Sequence, residues 1–348
     1  MAVESSKKIL MTGGGAPGAY GVLHCLMQDK NLEIISADAR EDCIGKHLTD
    51  RFIQIPYAQN PLFLDTMLNI CEEENIDFLF PLVTKELIIL SQHLDKFQAI
   101  GTTVLVNSFE FIQNINDKGN LYNFLDISGV PVPDFVICNN RDEFQQALNV
   151  LGYPEKPICL KPCQSNGMRG FRILDANKDK FDLWLNEKPS SAYITVEEIV
   201  GYLDHKDCPP LLVSEFLPGD EYTVDTFTSD GKTRYIIPRL RSKMVNGISA
   251  EGKIEKNEGV ISYCQDILDK IKPDGLTGIQ VKMNASGEPR ILEINPRVQG
   301  TTVACLGAGV NLPLMAIQYA NGNLDLNSLP DVDWDLKFIR HWKEVFYK

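Results

Sequence analysis

Three side chains that offer a cation only oxygen, Gln280, Glu293 and Asn295, stand on two short apolar runs, residues 278–283 and 290–295, separated by Asn284-Ala285-Ser286-Gly287-Glu288-Pro289. The separator reads as a hairpin with Ser286-Gly287 as a two-residue turn, a register that sets Gln280 opposite Glu293. Strand alternation then puts Glu293 and Asn295 on one face, with Leu292 and Ile294 on the other, toward a core. Oxygen donors without thiol or imidazole suit Mg2+ bound together with phosphate, and a cation is the partner that a carboxylate withdrawn from water requires. Arg297, just beyond Pro296, is placed to meet a phosphate bidentately. The bland alternative is a polar, solvent-facing strand edge.

A second group lies upstream. Residues 158–162 and 171–174 read as strands joined by Cys163-Gln164-Ser165-Asn166-Gly167-Met168-Arg169-Gly170. This loop neither opens a helix nor ends in Gly-Lys-Ser/Thr, so it is not a Walker loop and fits a hairpin. Ser165 and Gly167 can present backbone N–H groups to phosphate oxygens, and Lys161 on the entering strand can reach the same oxygens as a point charge. A solvated hairpin tip explains the segment equally well. Residues 211–215 form an apolar strand ending in Glu215-Phe216-Leu217-Pro218-Gly219, whose backbone and apolar side chains could hold the edge and face of a nucleotide base.

These groups need scaffolding. Residues 8–12 predict a strand, Gly13-Gly14-Gly15-Ala16-Pro17-Gly18 a tight turn and residues 19–27 a helix. A strand over 32–37 then ends in Asp38, 20 residues after Gly18. That spacing matches a dinucleotide fingerprint; the alternative is that the glycines serve only the turn and close helix packing. Helices over 61–74 and 85–97 alternate with strands over 78–81 and 103–106, which implies a parallel sheet. Ser108 caps a further helix that continues or restarts through Asp117-Lys118 to about Ile127, where Gly129 and Val130-Pro131-Val132-Pro133 stop it. Residues 190–210 carry no assignable pattern and read as an insertion.

The chain has 348 residues, of which 44% are hydrophobic and 23% charged, the profile of a folded protein of two or three domains. A net charge of −13 argues against a broad polyanion-binding face and so against nucleic acid as a partner, while leaving room for local anion sites. Neither a signal peptide nor a membrane span is evident, so no membrane association and a cytoplasmic location are expected. Nine cysteines without a Cys-x-x-Cys pair read as reduced thiols, and Cys163 does not read as a nucleophile.

Taken in order, these segments resemble the ATP-grasp superfamily, and within it the carbamoyl-phosphate-synthetase-like carboxylate-amine ligases. The resemblance covers nearly the whole chain. It implies an α/β and α+β architecture: a Rossmann-like N-terminal domain over 1–115, a lid subdomain with the phosphate hairpin over 116–213, and a C-terminal subdomain over 214–348 with the adenine hinge and a metal-binding sheet. By that likeness Lys118 is the first nucleotide lysine and Lys161 the second. Ser165 and Gly167 belong to the phosphate loop, Glu215, Phe216 and Leu217 to the adenine hinge, and Glu221 lies on the ribose side. Gln280, Glu293 and Asn295 resemble the metal set, and Arg297 the phosphate arginine that acts in catalysis with Lys161. The first domain of such proteins keeps the glycines without binding a dinucleotide, which makes nicotinamide chemistry the minor reading.

The implied reaction uses ATP and one or two Mg2+ ions, for which Mn2+ could substitute, to phosphorylate a small carboxylic acid. A small amine or amino acid then displaces phosphate from the acyl phosphate, giving an amide or peptide-like bond, ADP and phosphate. Gln280 stands where many members have an acid, which leaves Glu293 as the one carboxylate of the metal set. Arg239 and Arg241 alternate on a strand-like run, so both guanidinium groups can share a face, and one of them is hypothesised to hold the acid substrate; the bland alternative is a surface arginine pair. The alternatives are a bicarbonate-using synthetase or carboxylase and a non-catalytic nucleotide-binding module. A homodimer is compatible with either.

Overall fold

The computed structural model describes residues 6–165, 169–187, 191–245 and 247–348. The chain divides into two compact units, one formed by Met1–Gln113, Glu221–Gln280 and Ile294–Lys348, the other by Asn114–Asp220 and Val281–Glu293.

In the first unit, β1 (Lys7–Thr12), β2 (Leu32–Asp38), β3 (Arg51–Gln54), β4 (Phe78–Phe80) and β5 (Thr103–Val104) form a sheet in the order β3-β2-β1-β4-β5. All its ladders are parallel. Alternation along β1 sends Ile9 and Met11 to one face, with Val22, Leu23 and Leu26 of the helix Ala19–Leu26, and Leu10 to the other, with Phe63, Met67 and Phe97. The helix expected over 85–97 is two helices, Thr84–Ser91 and Leu94–Ala99. His93 leaves helical geometry between them (φ −130, ψ 28), and its Nδ1 contacts the Ile89 carbonyl at 2.9 Å.

Asp38 does not wait for a ribose. Its carboxylate accepts the Gly15 N–H at 2.7 Å and the Arg40 N–H at 2.8 Å, while Arg40 Nη2 donates to the Gly15 carbonyl, so the glycine turn is braced from within. A β-carbon on Gly18 would stand 2.6 Å from Gly300 Cα, so close backbone approach accounts for a glycine there.

In the second unit, β6 (Phe135–Cys138), β7 (Ile158–Pro162), β8 (Arg172–Leu174) and β9 (Leu211–Glu215) form an antiparallel sheet ordered β6-β9-β7-β8. The helix Arg141–Leu151 covers it, burying Phe144, Ala147 and Leu148. Asn140 accepts the Glu143 N–H at the start of that helix, and Gly152 ends it in the left-handed region. The stretch read as patternless contains the helix Val196–Leu203, opened by a capping box of Thr195 and Glu198. Ser190 lies outside the described residues.

The third sheet comprises β10 (Glu221–Ser229), β11 (Lys232–Val245), β12 (Ile248–Ile254), β13 (Gly275–Met283), β14 (Pro289–Asn295) and β15 (Lys337–Ile339), ordered β14-β13-β10-β11-β12-β15. The β13–β14 turn is a correction. The Asn284 N–H bonds the Glu288 carbonyl at 2.8 Å, which encloses three residues, not two, with Gly287 at φ +76. Leu292 is also not in the core: Ile291 and Ile294 are buried three positions apart, so strict alternation fails along β14. All nine cysteines are free. Among the described residues no helix is long and apolar enough to cross a membrane.

Candidate active site

Lys118 begins a helix, as one of the two sequence readings required. The preceding helix is Phe109–Asn116, Asp117 accepts the Asn120 N–H as a cap, and the next helix runs Lys118–Ile127. The start of that helix is fixed to the loop that follows β7, because the Lys118 N–H bonds the Cys163 carbonyl at 2.9 Å. The side chain goes the same way. Nζ donates to the Ser165 carbonyl at 2.6 Å, lies 3.4 Å from Ser165 Oγ and stands 3.6 Å from a Glu293 carboxylate oxygen. Only 6% of the Lys118 side chain and 17% of the Glu293 side chain are exposed, so this charge pair is well shielded from water.

Lys161 is the last polar residue of β7. Its Nζ donates to the Leu292 carbonyl at 2.8 Å and lies 5.6 Å from the centre of the Tyr122 ring. The Tyr122 hydroxyl donates to the Ile291 carbonyl at 2.7 Å. Two successive carbonyls of β14 thus serve side chains, which is consistent with the broken alternation there. β7 and β8 form the expected hairpin, and Gly167 lies outside the described residues. The Cys163 thiol at its base is pushed up to about 11, first by burial and then by Asp117, which suits a packing role and no nucleophile.

At the hinge, Glu215 exchanges backbone contact with Asp134, and its Oε1 accepts the Asp134 N–H at 3.2 Å. Phe216 carries Lys282 Nζ 5.3 Å above its ring, and Leu217 is buried. The second unit therefore brings together Lys118, Ser165 and Glu293 in one cluster, with Lys161 on the neighbouring carbonyl of Leu292.

The first unit holds Glu221, Arg239, Arg241, Gln280, Asn295 and Arg297. Arg297 Nε donates to Thr84 Oγ1 at 3.3 Å and its Nη1 to the Val298 carbonyl at 2.7 Å. Thr223 of β10 faces Arg239 of β11, so Glu221 and Asp225 share a face with the two arginines. Arg241 pairs with Glu221 and donates further to the Gly247 carbonyl and Ser249 Oγ. Arg239 pairs with Asp225 at 2.5 Å.

Sequence reading passed over Tyr122, Thr84 and Asp225. For Asp225 a signal existed: acidic residues four apart, Glu221 and Asp225, on one strand-like run, and arginines two apart, Arg239 and Arg241, on the next.

The oxygen-only set fits magnesium in kind. Among the described residues no cluster of three or more His, Cys, Asp or Glu could hold a metal. One carboxylate, Glu293, and two amides, Gln280 and Asn295, suit a hard ion that completes its shell with phosphate and water.

Residues 207–340 match the family model described as ATP-grasp in the biosynthetic pathway with Ter operon, and residues 9–105 match the PylC-like, N-terminal domain. The carbamoyl phosphate synthase arginine-specific large chain of Bacillus subtilis (strain 168) is 24% identical over 309 residues, covering 88% of this chain and 28% of that protein. The chain thus spans less than a third of that relative's length. Among solved structures, the biotin carboxylase domain of Hydrogenobacter thermophilus 2-oxoglutarate carboxylase, in complex with MgADP, ADP and bicarbonate, has a TM-score of 0.71. It shares 16% identity, over 95% of this chain and 73% of that one. An L-amino acid ligase from Bacillus licheniformis has a TM-score of 0.69 at 14% identity, over 96% and 79% of the two chains. These structural likenesses are likenesses of fold.

Proposed function

We propose, for a chain that belongs to the ATP-grasp superfamily, an ADP-forming carboxylate–amine ligase that makes an amide or peptide-like bond through an acyl phosphate. The observation that carries this reading is the Lys118 cluster. A buried cation touches the loop suited to phosphate, at Ser165, and the carboxylate suited to a metal, Glu293, at 2.6 and 3.6 Å. In this reading residues 1–115 form the leading domain, 116–213 the lid and 214–348 the subdomain with the adenine hinge and metal sheet.

Lys118 and Lys161 would neutralise phosphate oxygens of ATP, and Arg297 the transferring phosphoryl group, since phosphoryl transfer asks the protein chiefly for position and charge. Mg2+, when bound, supplies Lewis-acid neutralisation of those oxygens, and Gln280, Glu293 and Asn295 would hold it. Ser165 and Gly167 would present the loop to phosphate. Phe216 and Leu217 would cover the base beside Glu215, and Glu221 would face the ribose. The loop over 163–170 would exclude water, because hydrolysis of the acyl phosphate is the competing reaction. Arg239 and Arg241 are the two cations of β11 available to the acid substrate. The assembly in which this occurs could be a homodimer.

The test is an ADP-release screen of carboxylic acids crossed with amines and amino acids. ADP release that requires both partners is the expected result. Release with neither dependence, or none with any pair, would refute ligation. Bicarbonate belongs in the same screen, because the Bacillus relative is a carbamoyl phosphate synthase and the Hydrogenobacter structure contains bicarbonate. Bicarbonate-stimulated release without an organic acid would select that second reading.

A further inference from the structure

The first unit carries buried hydrogen-bond donors that no backbone or side-chain group satisfies. Arg239 is 1% exposed. Its Nε is committed to Asp225, yet Nη1 and Nη2 are both buried and have no hydrogen-bond partner. Asp225 also accepts from Cys305 Sγ at 3.4 Å. From Cys305 a continuous turn leads back: its N–H bonds the Thr302 carbonyl at 2.8 Å, and the Thr302 N–H bonds the Gln299 carbonyl at 3.2 Å. On that turn Thr302 Oγ1 and Gln299 Nε2 are likewise buried without partners, and Gln299 lies over Gly278 of β13.

The contrast with Arg241 is chemical. Arg241 spends its guanidinium on Glu221, the Gly247 carbonyl and Ser249, whereas Arg239 keeps a forked pair of N–H₂ groups unspent. Arg340 adds to the charge excess. It is held to the Pro17 carbonyl at 3.2 Å, it has no carboxylate within ion-pair distance among the described residues, and its guanidinium is disfavoured by burial and by the charge of Arg239. A buried guanidinium fork left unspent beside one carboxylate, with amide and hydroxyl donors also left over, calls for a ligand that brings only acceptors.

We propose that Arg239 Nη1 and Nη2, supported by Gln299 Nε2 and Thr302 Oγ1, bind an oxyanion, and that this oxyanion is the carboxylate of the acid substrate. The assignment rests on the ligase reading and narrows it: Arg239 selects the acid, and Arg241 does not. A carboxylate and a phosphate both fit a guanidinium fork, so the test separates them.

The experiment is calorimetric titration of the full chain with acetate, succinate, glutarate, bicarbonate and inorganic phosphate, each with MgADP titrated in parallel. The variants are Arg239→Lys, which keeps a charge for Asp225 but removes the fork, and Gln299→Leu as a second probe should the first fail to fold. The expected result is that the wild-type chain binds at least one carboxylate, that Arg239→Lys weakens it at least tenfold and Gln299→Leu at least threefold, and that MgADP affinity is unchanged. Weakening confined to phosphate would retain the oxyanion site and overturn its assignment to the acid. Equal affinity in variant and wild type, or no oxyanion binding by the wild type, would overturn the site itself. Loss of MgADP binding by the wild-type chain would instead sink the ligase reading, and the oxyanion titrations would still report on Arg239.

Discussion

Lys118 Nζ stands 3.6 Å from the carboxylate of Glu293, on a helix start and a strand separated by 175 positions in the chain. Both side chains are largely withdrawn from water, so the charge of each is felt strongly by the other. A nucleotide with its metal would change that balance: phosphate would compete for the lysine and the cation for the carboxylate. The pair thus holds two functional groups at a common place before substrate arrives.

Glu293→Gln removes the charge while retaining the shape. ADP release should fall by at least ~100-fold with every acid and amine, the loss expected when a group that meets developing charge is removed. The melting temperature, followed by circular dichroism, should fall as well, because a shielded Lys118 loses a carboxylate partner while the Ser165 carbonyl still holds its Nζ at 2.6 Å, so ADP release is read well below the variant's transition. Wild-type turnover in this variant would exclude Glu293 from the metal set.

Tyr122→Phe deletes a hydroxyl that is buried and bonded to the Ile291 carbonyl at 2.7 Å. Stability should drop by about 1–3 kcal/mol, since the carbonyl loses a donor in a place that offers it little water. Urea titration reads this directly. A fall in kcat accompanying an unchanged MgADP affinity would show that the same carbonyl ladder also aligns Lys161.

The Glu221–Arg241 pair invites a double-mutant cycle. Their side chains are 17% and 7% exposed, and breaking such a pair from either side leaves a charge without its partner, at a cost of about 3–5 kcal/mol. Glu221→Gln with Arg241→Met together should therefore cost less than the sum of the single changes. Arg241→Met alone should weaken MgATP through the displaced Glu221 and leave the KM for the acid unchanged, opposite to Arg239→Lys.

The elements that carry the phosphate and metal groups were legible because each depends on local chemistry. The strand at β1, the helix restart at Asp117-Lys118 and the β7–β8 hairpin are written in neighbouring residues. The helix Arg141–Leu151 was also written there, in the Asn140 cap and the spacing of Phe144, Ala147, Leu148 and Leu151, and it went unread, as did the Thr195–Glu198 capping box. What the sequence withheld is pairing between distant strands. Nothing local states that Thr223 faces Arg239, so the pairing of Arg239 with Asp225 and of Arg241 with Glu221 became visible only with the register of β10 on β11. The three-residue β13–β14 turn is an intermediate case. Gly287 permits both turn lengths, and the Asn284–Glu288 backbone bond selects one.

Glu86 provides a test that depends on neither nucleotide nor substrate. Its carboxyl is 5% exposed and accepts the hydroxyl of Thr12 on β1. Burial first, and Asp38 after it, raise it to about 7 against the opposing pull of the Thr12 bond. A carboxyl whose folded pKa lies above its unfolded value binds more protons in the folded state. Its contribution to stability is therefore greatest below the unfolded value near 4.5, declines as pH rises toward 7, and levels off beyond. Glu86→Gln abolishes that titration while leaving an oxygen for Thr12. Wild-type stability should fall by about 3 kcal/mol relative to the variant between pH 4.5 and 7.5, because each pKa unit corresponds to about 1.4 kcal/mol. Urea midpoints of the two proteins measured across this range should diverge as pH rises, and parallel curves would mean that Glu86 is ionised in the folded chain.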